Sequence, residues 1–514
     1  MQRAINLKLV LFLASAGLLA ACQTPPNIAP QSAFVGFFKN QADCREQYAA
    51  MDARVEAAGV RDGAFYRVPG YPYLRTDRLL ASFAKEVHSM DEVSGWIRRM
   101  RELDQESREY EYRNLGLSTQ EAAISRIDLL ECGRTLAGLE IADEPSLRDL
   151  RERVQPPSEY SGLARAAGLY PLTAPLLKSH AEDAQRAAKA SFNTAEPLST
   201  EARLWTVKAA EDMTLIPKHF DDAYPDELGM PGLVDSAWRA LAEKHAPPIL
   251  INSAAHENQL GTPVWKDGRI VADAGTPEVH YHFDFVRFGA QALARINYFI
   301  WFDDAGADVQ GGLDGLIWRV TLDRDTKPLL FESLHASGRD HFWFPAQSLE
   351  QRASGGYLSQ PPFFPTESLA PSAPVVRLAA ESRRPNALLD NDALAADIGK
   401  KPAQEYTLQR YEELYMLPRD DGTTRSAFRP DGLMQGATSD GPGWLWISGL
   451  QAPGALRQYG HHATSYVGRR VFDDPHLLEQ VFVAPPPPKR LKAAQTGAAR
   501  PSRPIDQSHD NGPS

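Results

Sequence analysis

The chain has 514 residues, of which 43% are hydrophobic and 24% charged, a composition typical of a globular protein with material for a large core. Its 66 acidic residues outnumber its 55 lysines and arginines, so the formal net charge is -11. An acidic chain gains nothing from counterion release on a phosphate backbone, which argues against a general nucleic-acid-binding protein.

The first residues have the pattern of a bacterial export signal. Arg3 and Lys8 flank the start of an apolar run, Leu9–Leu19, which is too short to anchor stably across a bilayer. The run ends in LAAC, with the cysteine at Cys22, and this resembles the lipobox of bacterial lipoproteins. The resemblance implies cleavage before Cys22, a diacylglyceryl group on its sulfur and acylation of its amino group. The alternative is a plain secretory signal with a chance cysteine.

The same resemblance implies a location and a partner. Gln23 follows the cysteine where an aspartate would retain the protein at the inner membrane, and in the enterobacterial pattern this implies sorting to the outer membrane. Several acyl chains hold a protein at a bilayer where one chain alone binds reversibly, so membrane lipid is the expected partner of Cys22. Residues 1–21 are therefore predicted to be a signal peptide and residues 22–40, rich in proline and polar residues, a tether.

Two cysteines remain after Cys22. In an oxidising compartment two thiols favour a disulfide, which here would join Cys44 to Cys132, 88 positions apart. Loop-entropy reasoning assigns such a bridge about 4–5 kcal/mol at best. Two separate buried thiols are the alternative.

Residues 41–248 are predicted to form an α-rich domain, because helix formers with apolar residues at helical spacing recur through them. The stretch 68–73 contains two prolines and a glycine and is predicted to be a turn or extended link. Asp77 is expected to cap the next helix. A long helix over 90–112 has a dense run of charged residues, which indicates a solvated face.

From residue 249 the apolar period changes to two, which predicts a β-rich α+β domain over 249–484. Residues 316–322 and 329–335 flank a polar turn and predict a β-hairpin. Residues 444–447 (WLWI) are interpreted as a strand, and the low-complexity residues 485–514 as a disordered tail. The fold class is therefore predicted to be α+β, with a helical N-terminal part followed by a β-rich C-terminal part that contains an antiparallel or mixed sheet.

One predicted strand, residues 278–288, combines an apolar face with a polar face. Residues two apart on a strand point the same way, so His280 and His282 can reach one divalent transition metal such as zinc, with Asp284 completing or orienting the set. His335 and His341 are the candidate later ligands. A metal held this way could activate water for hydrolysis. The alternative is that these histidines are ordinary surface or core residues satisfied by carboxylates.

Three further phrases carry a resemblance. The segments GLYPLT (168–173), DGLIWRV (314–320) and GHHAT (460–464) resemble phrases from a family of uncharacterised bacterial envelope lipoproteins. The resemblance implies an envelope location and no particular reaction.

Two functional hypotheses follow from these patterns. The first is a lipid-anchored protein on the periplasmic side of the outer membrane, with a non-catalytic binding or scaffolding role toward an envelope protein or a glycan. The second is a metal-dependent hydrolase with a site centred on His280 and His282.

Overall fold

The structure, a computed structural model, describes residues 39–193, 197–208, 212–252, 259–303, 312–352, 360–380, 382–390, 403–438 and 443–485. The predicted signal peptide, Cys22, nearly all of the tether and nearly all of the C-terminal tail lie outside these residues. Across the described ranges, no helix combines the length and the apolar character needed to cross a membrane.

Helices make up most of the N-terminal part. Two of the longest begin at capping boxes, in which a serine and a glutamate three residues later satisfy each other's backbone amides. The helices are α1 (Lys39–Ala58), α2 (Arg78–Phe83), α3 (Met90–Asn114), α4 (Thr119–Glu140), α5 (Glu144–Arg153), α6 (Gly162–Ala167), α7 (Tyr170–Asn193), α8 (Asp235–Lys244) and, near the C-terminus, α9 (Leu477–Val481).

The stretch predicted to be a turn or extended link is a short hairpin of two strands, β1 (Tyr66–Val68) and β2 (Tyr71–Thr76). The later strands are β3 (Arg203–Val207), β4 (Ile249–Ile251), β5 (Thr262–Lys266), β6 (Arg269–Asp273), β7 (Glu278–Phe288), β8 (Gln291–Asp303), β9 (Leu313–Leu322), β10 (Pro328–His335), β11 (Phe342–Pro345), β12 (Val375–Leu378), β13 (Pro385–Leu389), β14 (Gln404–Arg410), β15 (Leu417–Pro418), β16 (Thr424–Arg425), β17 (Leu433–Thr438) and β18 (Ala455–Arg457).

The largest sheet has ten strands in the order β11-β10-β9-β8-β7-β14-β3-β4-β12-β13. Strands β7 to β11 form an antiparallel meander, whereas β14 is parallel to both of its neighbours, β7 and β3. The sheet is therefore mixed, and the predicted α+β class, with helices concentrated in the N-terminal part and strands in the C-terminal part, is confirmed. Strand β3 comes from the region predicted to be α-rich and nevertheless belongs to this sheet.

Each face of the sheet is covered by a different part of the chain. One face, which includes Val279 and Tyr281 of β7, packs against Ala188 of α7 and Leu241 of α8. On the opposite face, Phe299 of β8 stacks on Tyr411 with ring centroids 3.9 Å apart. Because side chains alternate along a strand, this opposite face also receives the polar residues of β7.

The N-terminal helices have a separate hydrophobic core around Trp96, and the predicted disulfide lies in it. Cys44 of α1 and Cys132 of α4 are joined, with their Cα atoms 5.1 Å apart. Both cysteines are buried among the apolar residues of this core. The predicted disulfide is therefore present, and it connects the first helix to a helix nearly ninety positions later.

The charges of α3 correct one prediction. The helix does not present only a solvated face, because Asp104, Arg108 and Glu111 are buried. Arg75 of β2, which is fully buried, donates to Asp104 at 3.2 Å and to Glu111 at 2.8 Å. The charge run thus forms an internal network that joins α3 to β2.

Residues 444–447 correct a second prediction. They lie in a 3-10 helix, Gly443–Ser448, and not in a strand. The two tryptophans of this segment are 37% and 43% exposed, so the apolar sequence is not buried in a sheet. Strand propensity reflects packing on a pleated surface, and here no such surface is available.

Candidate ligand-binding cavity

A cavity of about 780 Å³ lies beside residues 281–285 of β7, next to the N-terminal helices, and side chains from both faces of this strand line it. Its walls come from α2, α3 and α8, from the middle of β7, and from the segments that follow β14 and β18. Eight carboxylate side chains and five guanidinium groups line it: Asp77, Glu102, Glu106, Asp235, Asp284, Glu412, Glu413 and Asp473 with Arg78, Arg99, Arg239, Arg295 and Arg410. The carboxylates therefore outnumber the guanidinium groups by three.

Asp284 is held firmly at the floor of this cavity. Strand pairing places it opposite Arg295 of β8, and the two side chains form a buried ion pair. The amide of Asn297 donates to Asp284 Oδ1 at 2.9 Å, and the hydroxyl of Tyr459 also donates to the carboxylate. Burial opposes the charge, but Arg295 and the hydrogen bonds outweigh it, so the pKa of Asp284 is lowered and the group is a fixed anion.

His282, two residues earlier on the same face, pairs with Glu412. Its Nδ1 lies 2.7 Å from Glu412 Oε1, in the 3-10 helix Tyr411–Met416 that directly follows β14. Burial alone would lower the pKa of His282, but the hydrogen bond and charge of Glu412 raise it overall. Burial likewise opposes the charge on Glu412, and the bond from His282 brings its pKa down to about 2. Because Nδ1 is occupied, the ring nitrogen left for a ligand is Nε2.

Asp77 is a carboxylate in the cavity whose charge has little compensation. It is the N-cap of α2 and accepts a hydrogen bond from the Leu80 amide at 2.7 Å, as its predicted capping role requires. Burial raises its pKa to about 6, and the nearby carboxylates of Asp473 and Asp284 act in the same direction. Perturbed carboxyls in clefts are typical of functional sites.

A second poorly compensated carboxylate, Glu106, faces the cavity from α3. The hydroxyl of Tyr110 donates to it at 2.7 Å. Burial raises its pKa, and the charge of Glu412 adds to that effect. Within the part of the chain that the structure describes, neither Asp77 nor Glu106 forms an ion pair with a lysine or arginine.

An aromatic wall closes one side of the cavity. The ring of Trp238 on α8 lies 4.5 Å from that of Phe283 and 6.2 Å from that of Phe285. On the other side, Tyr459 packs on the His282 ring at 4.7 Å. The cavity is therefore lined by both anionic groups and aromatic side chains.

The structure separates most of the residues predicted to bind a metal. His282 and Asp284 line the cavity, but His280 is buried among other side chains and burial lowers its pKa to about 3. His335 pairs with Asp314 at 2.7 Å.

His341 has partners of its own. Its Nε2 lies 2.8 Å from Glu332 Oε1 and 2.8 Å from the Trp343 indole nitrogen. Among the described residues, no group of three or more His, Cys, Asp or Glu side chains is arranged to hold a metal ion. The zinc site centred on His280 and His282 stays a prediction.

Several residues of the cavity were not singled out from the sequence. Glu412, Tyr459 and Asp473 are more than a hundred positions from β7, and no local pattern marks them. Asp77 was recognised only as a helix cap. The alternation of β7 was the one signal that pointed to this place, because it put His282 and Asp284 on a shared polar face.

Comparison with known proteins adds no further assignment to this geometry. No protein-family model, no curated protein sequence and no solved structure matches the chain.

Proposed function

We propose that this is a lipid-anchored protein of the bacterial envelope that binds a small organic cation in the cavity between its N-terminal helices and its sheet. The lipobox that ends at Cys22 supports the location. The single observation that carries the binding proposal is the excess of carboxylates in a cavity of about 780 Å³. This volume is typical of sites for small molecules.

Charge balance favours a cationic ligand. The five guanidinium groups each have an internal carboxylate partner: Arg78 with Asp473, Arg99 with Asp226, Arg239 with Glu243, Arg295 with Asp284 and Arg410 with Glu412. A bound cation would compensate Asp77 and Glu106, whose ionised forms are disfavoured by burial. Buried charge is stable only when it is paired, so the ligand supplies the missing partner.

The aromatic wall favours an organic cation over a bare metal ion. The quadrupole of an aromatic ring attracts an ammonium or guanidinium group placed over its face, and tryptophan is the strongest of these rings. Trp238 and Tyr459 both line the cavity together with the carboxylates. An amine on a carbohydrate or peptide fits this arrangement, which agrees with the glycan or envelope partner predicted from the sequence.

Isothermal titration calorimetry tests the proposal with glucosamine and spermidine as probes, and with N-acetylglucosamine as the neutral analogue. We expect the two amines to bind and the neutral sugar to bind at least about tenfold more weakly, a factor that corresponds to about 1.4 kcal/mol. Asp77→Asn should weaken amine binding by a similar factor. The affinity for the amines should rise as the pH increases through about 6, because Asp77 then loses its proton.

The matched control is Asp143→Asn, which changes the N-cap of α5 outside the cavity and should leave binding unchanged. Equal affinity for glucosamine and its N-acetyl form, or unchanged amine binding by the Asp77 variant, would contradict the proposal.

The metal-dependent hydrolase is kept as the alternative proposal. One observation favours it: His282 is oriented by Glu412, as metal-ligating histidines are by their carboxylate partners. It requires further ligands to join His282 in the cavity, and zinc content tests it directly.

A further inference from the structure

An exposed apolar surface lies on α6, the first half of α7 and the 3-10 helix Gly443–Ser448. Its large side chains are between 37% and 78% exposed. Together they form the apolar ridge, defined by Leu163, Leu169, Leu172, Leu176, Trp444 and Trp446.

The three segments of the apolar ridge are packed together. The Ser161 amide donates to the Gly449 carbonyl at 2.7 Å, and Arg165 Nε donates to the Ser448 carbonyl at 2.7 Å. Further along α7, the His180 ring lies 5.2 Å from the Trp444 ring. Hydrogen bonds and ring contacts therefore hold the segments that carry the ridge together as one unit.

The charge around the apolar ridge differs from the rest of the protein. Residues 160–181 and 443–472 contain no aspartate or glutamate, although the whole chain has 66 acidic residues. These stretches contain the exposed Arg469, the 65% exposed Lys178, which lies 3.9 Å from Glu182, and Arg165, which stacks on Tyr160 and Tyr170. An exposed apolar surface whose own segments carry cations and no acids is suited to contact with an anionic lipid surface.

We propose that the apolar ridge docks on the anionic lipid surface of the membrane. Tryptophan prefers the interface between headgroups and acyl chains, and leucines enter the acyl boundary beneath it. The inference rests on the proposed lipid anchor, which brings a bilayer close. Between Cys22 and Lys39 the extended chain reaches about 60 Å at most, enough to let the folded part lie against the membrane.

Vesicle sedimentation of the full-length protein tests this proposal. Every version carries Cys22→Ser, so that acyl chains are absent and the N-terminal segment is the same in all of them. Leu172→Glu/Leu176→Glu changes the apolar ridge. Ile124→Glu/Ile127→Glu, at 51% and 56% exposed positions of α4, is the matched control. Vesicles are phosphatidylethanolamine with phosphatidylglycerol, compared with phosphatidylcholine alone.

We expect the ridge variant to bind the anionic vesicles roughly tenfold more weakly than the control variant. The unmodified ridge should prefer the anionic vesicles to phosphatidylcholine. Equal binding by the two double variants would overturn the proposal. A dimer that the ridge substitutions dissociate, with no vesicle binding, would also overturn it and would identify a second copy as the occupant.

Two further measurements distinguish a loss of membrane docking from a loss of folding or of cation binding. Circular dichroism must show that both variants are folded. Calorimetry with spermidine should give the same affinity in both, because the cavity is unchanged, so failure of docking and failure of cation binding are distinguished.

Discussion

At the scale of single residues, Asp77 combines two roles that oppose each other. As the N-cap of α2 it accepts the Leu80 amide, which stabilises the helix. Burial raises the pKa of this half-buried carboxyl to about 6, so its ionised form, which predominates at neutral pH, is less favourable than that of a solvated aspartate. A group kept in an unfavourable state by its surroundings is what a binding site for a cation requires.

Asp77→Asn is therefore expected to stabilise the protein at about pH 8. The folded-state pKa lies above the unfolded value, so the contribution of Asp77 is favourable below about 3.8 and is lost as the pH rises through about 6. Asparagine keeps the cap and removes the charge, which should raise the free energy of unfolding by at most about 3 kcal/mol. At about pH 3 the gain should disappear.

Urea unfolding of both proteins at the two pH values measures this, with Asp143→Asn as the control. A loss of stability in the Asp77 variant at about pH 8 would show that the ionised carboxyl is compensated by a contact other than those described.

The residue scale also shows how much of the site was predictable. Alternation along β7 correctly placed His282 and Asp284 on one face, because the period of a strand is local. Their partners were not predictable. Glu412 is 130 positions from His282, and Tyr459 is 175 positions from Asp284, so only the folded chain brings them together.

At the scale of elements, the buried charges of α3 make Arg75 a structural residue. Removing one partner of a buried ion network leaves uncompensated charge, so Arg75→Met should lower the free energy of unfolding by about 3–5 kcal/mol. Arg98→Met, at a 39% exposed position of α3 that pairs with Glu102 and Glu227, should change it by less than about 1 kcal/mol. Urea denaturation followed by circular dichroism compares them, and similar small effects would contradict the network.

The bridge between α1 and α4 supplies a second prediction for elements. Replacing both cysteines, Cys44→Ala/Cys132→Ala, should lower the free energy of unfolding by about 2–5 kcal/mol, because the unfolded chain regains the freedom of a long loop. Reductant should destabilise the natural protein by a comparable amount. Mass spectrometry that found two free thiols in the untreated protein would contradict this.

Elements with local signals were predicted well. The β9–β10 hairpin formed where its turn residues and the period of its strands placed it. The 3-10 helix at residues 443–448 was missed because tryptophan and isoleucine favour strands, while packing against α6 and α7 decided the outcome. The position of β14 between β7 and β3 was also not predictable from the sequence, because parallel strands are not joined by a short turn that a local pattern could reveal.

At the scale of the whole molecule, the five residues of the predicted metal site are distributed among separate contacts. His282 is engaged by Glu412, His335 by Asp314 and His341 by Glu332. We therefore expect protein purified without a histidine tag to contain no stoichiometric zinc by mass spectrometry of its metal content. One zinc per chain that is lost in His280→Ala/His282→Ala would contradict this and would support the hydrolase.

The place of β14 in the chain has a consequence for biogenesis. This strand lies at the middle of the ten-stranded sheet, yet its residues are translated about 120 positions after those of β7. Until β14 emerges, β7 and β3 each lack the strand that lies between them in the sheet, and the two halves of the sheet cannot join. Long-range pairing of this kind delays folding. We expect the ten-stranded sheet to be completed only late in synthesis, after β14 has emerged.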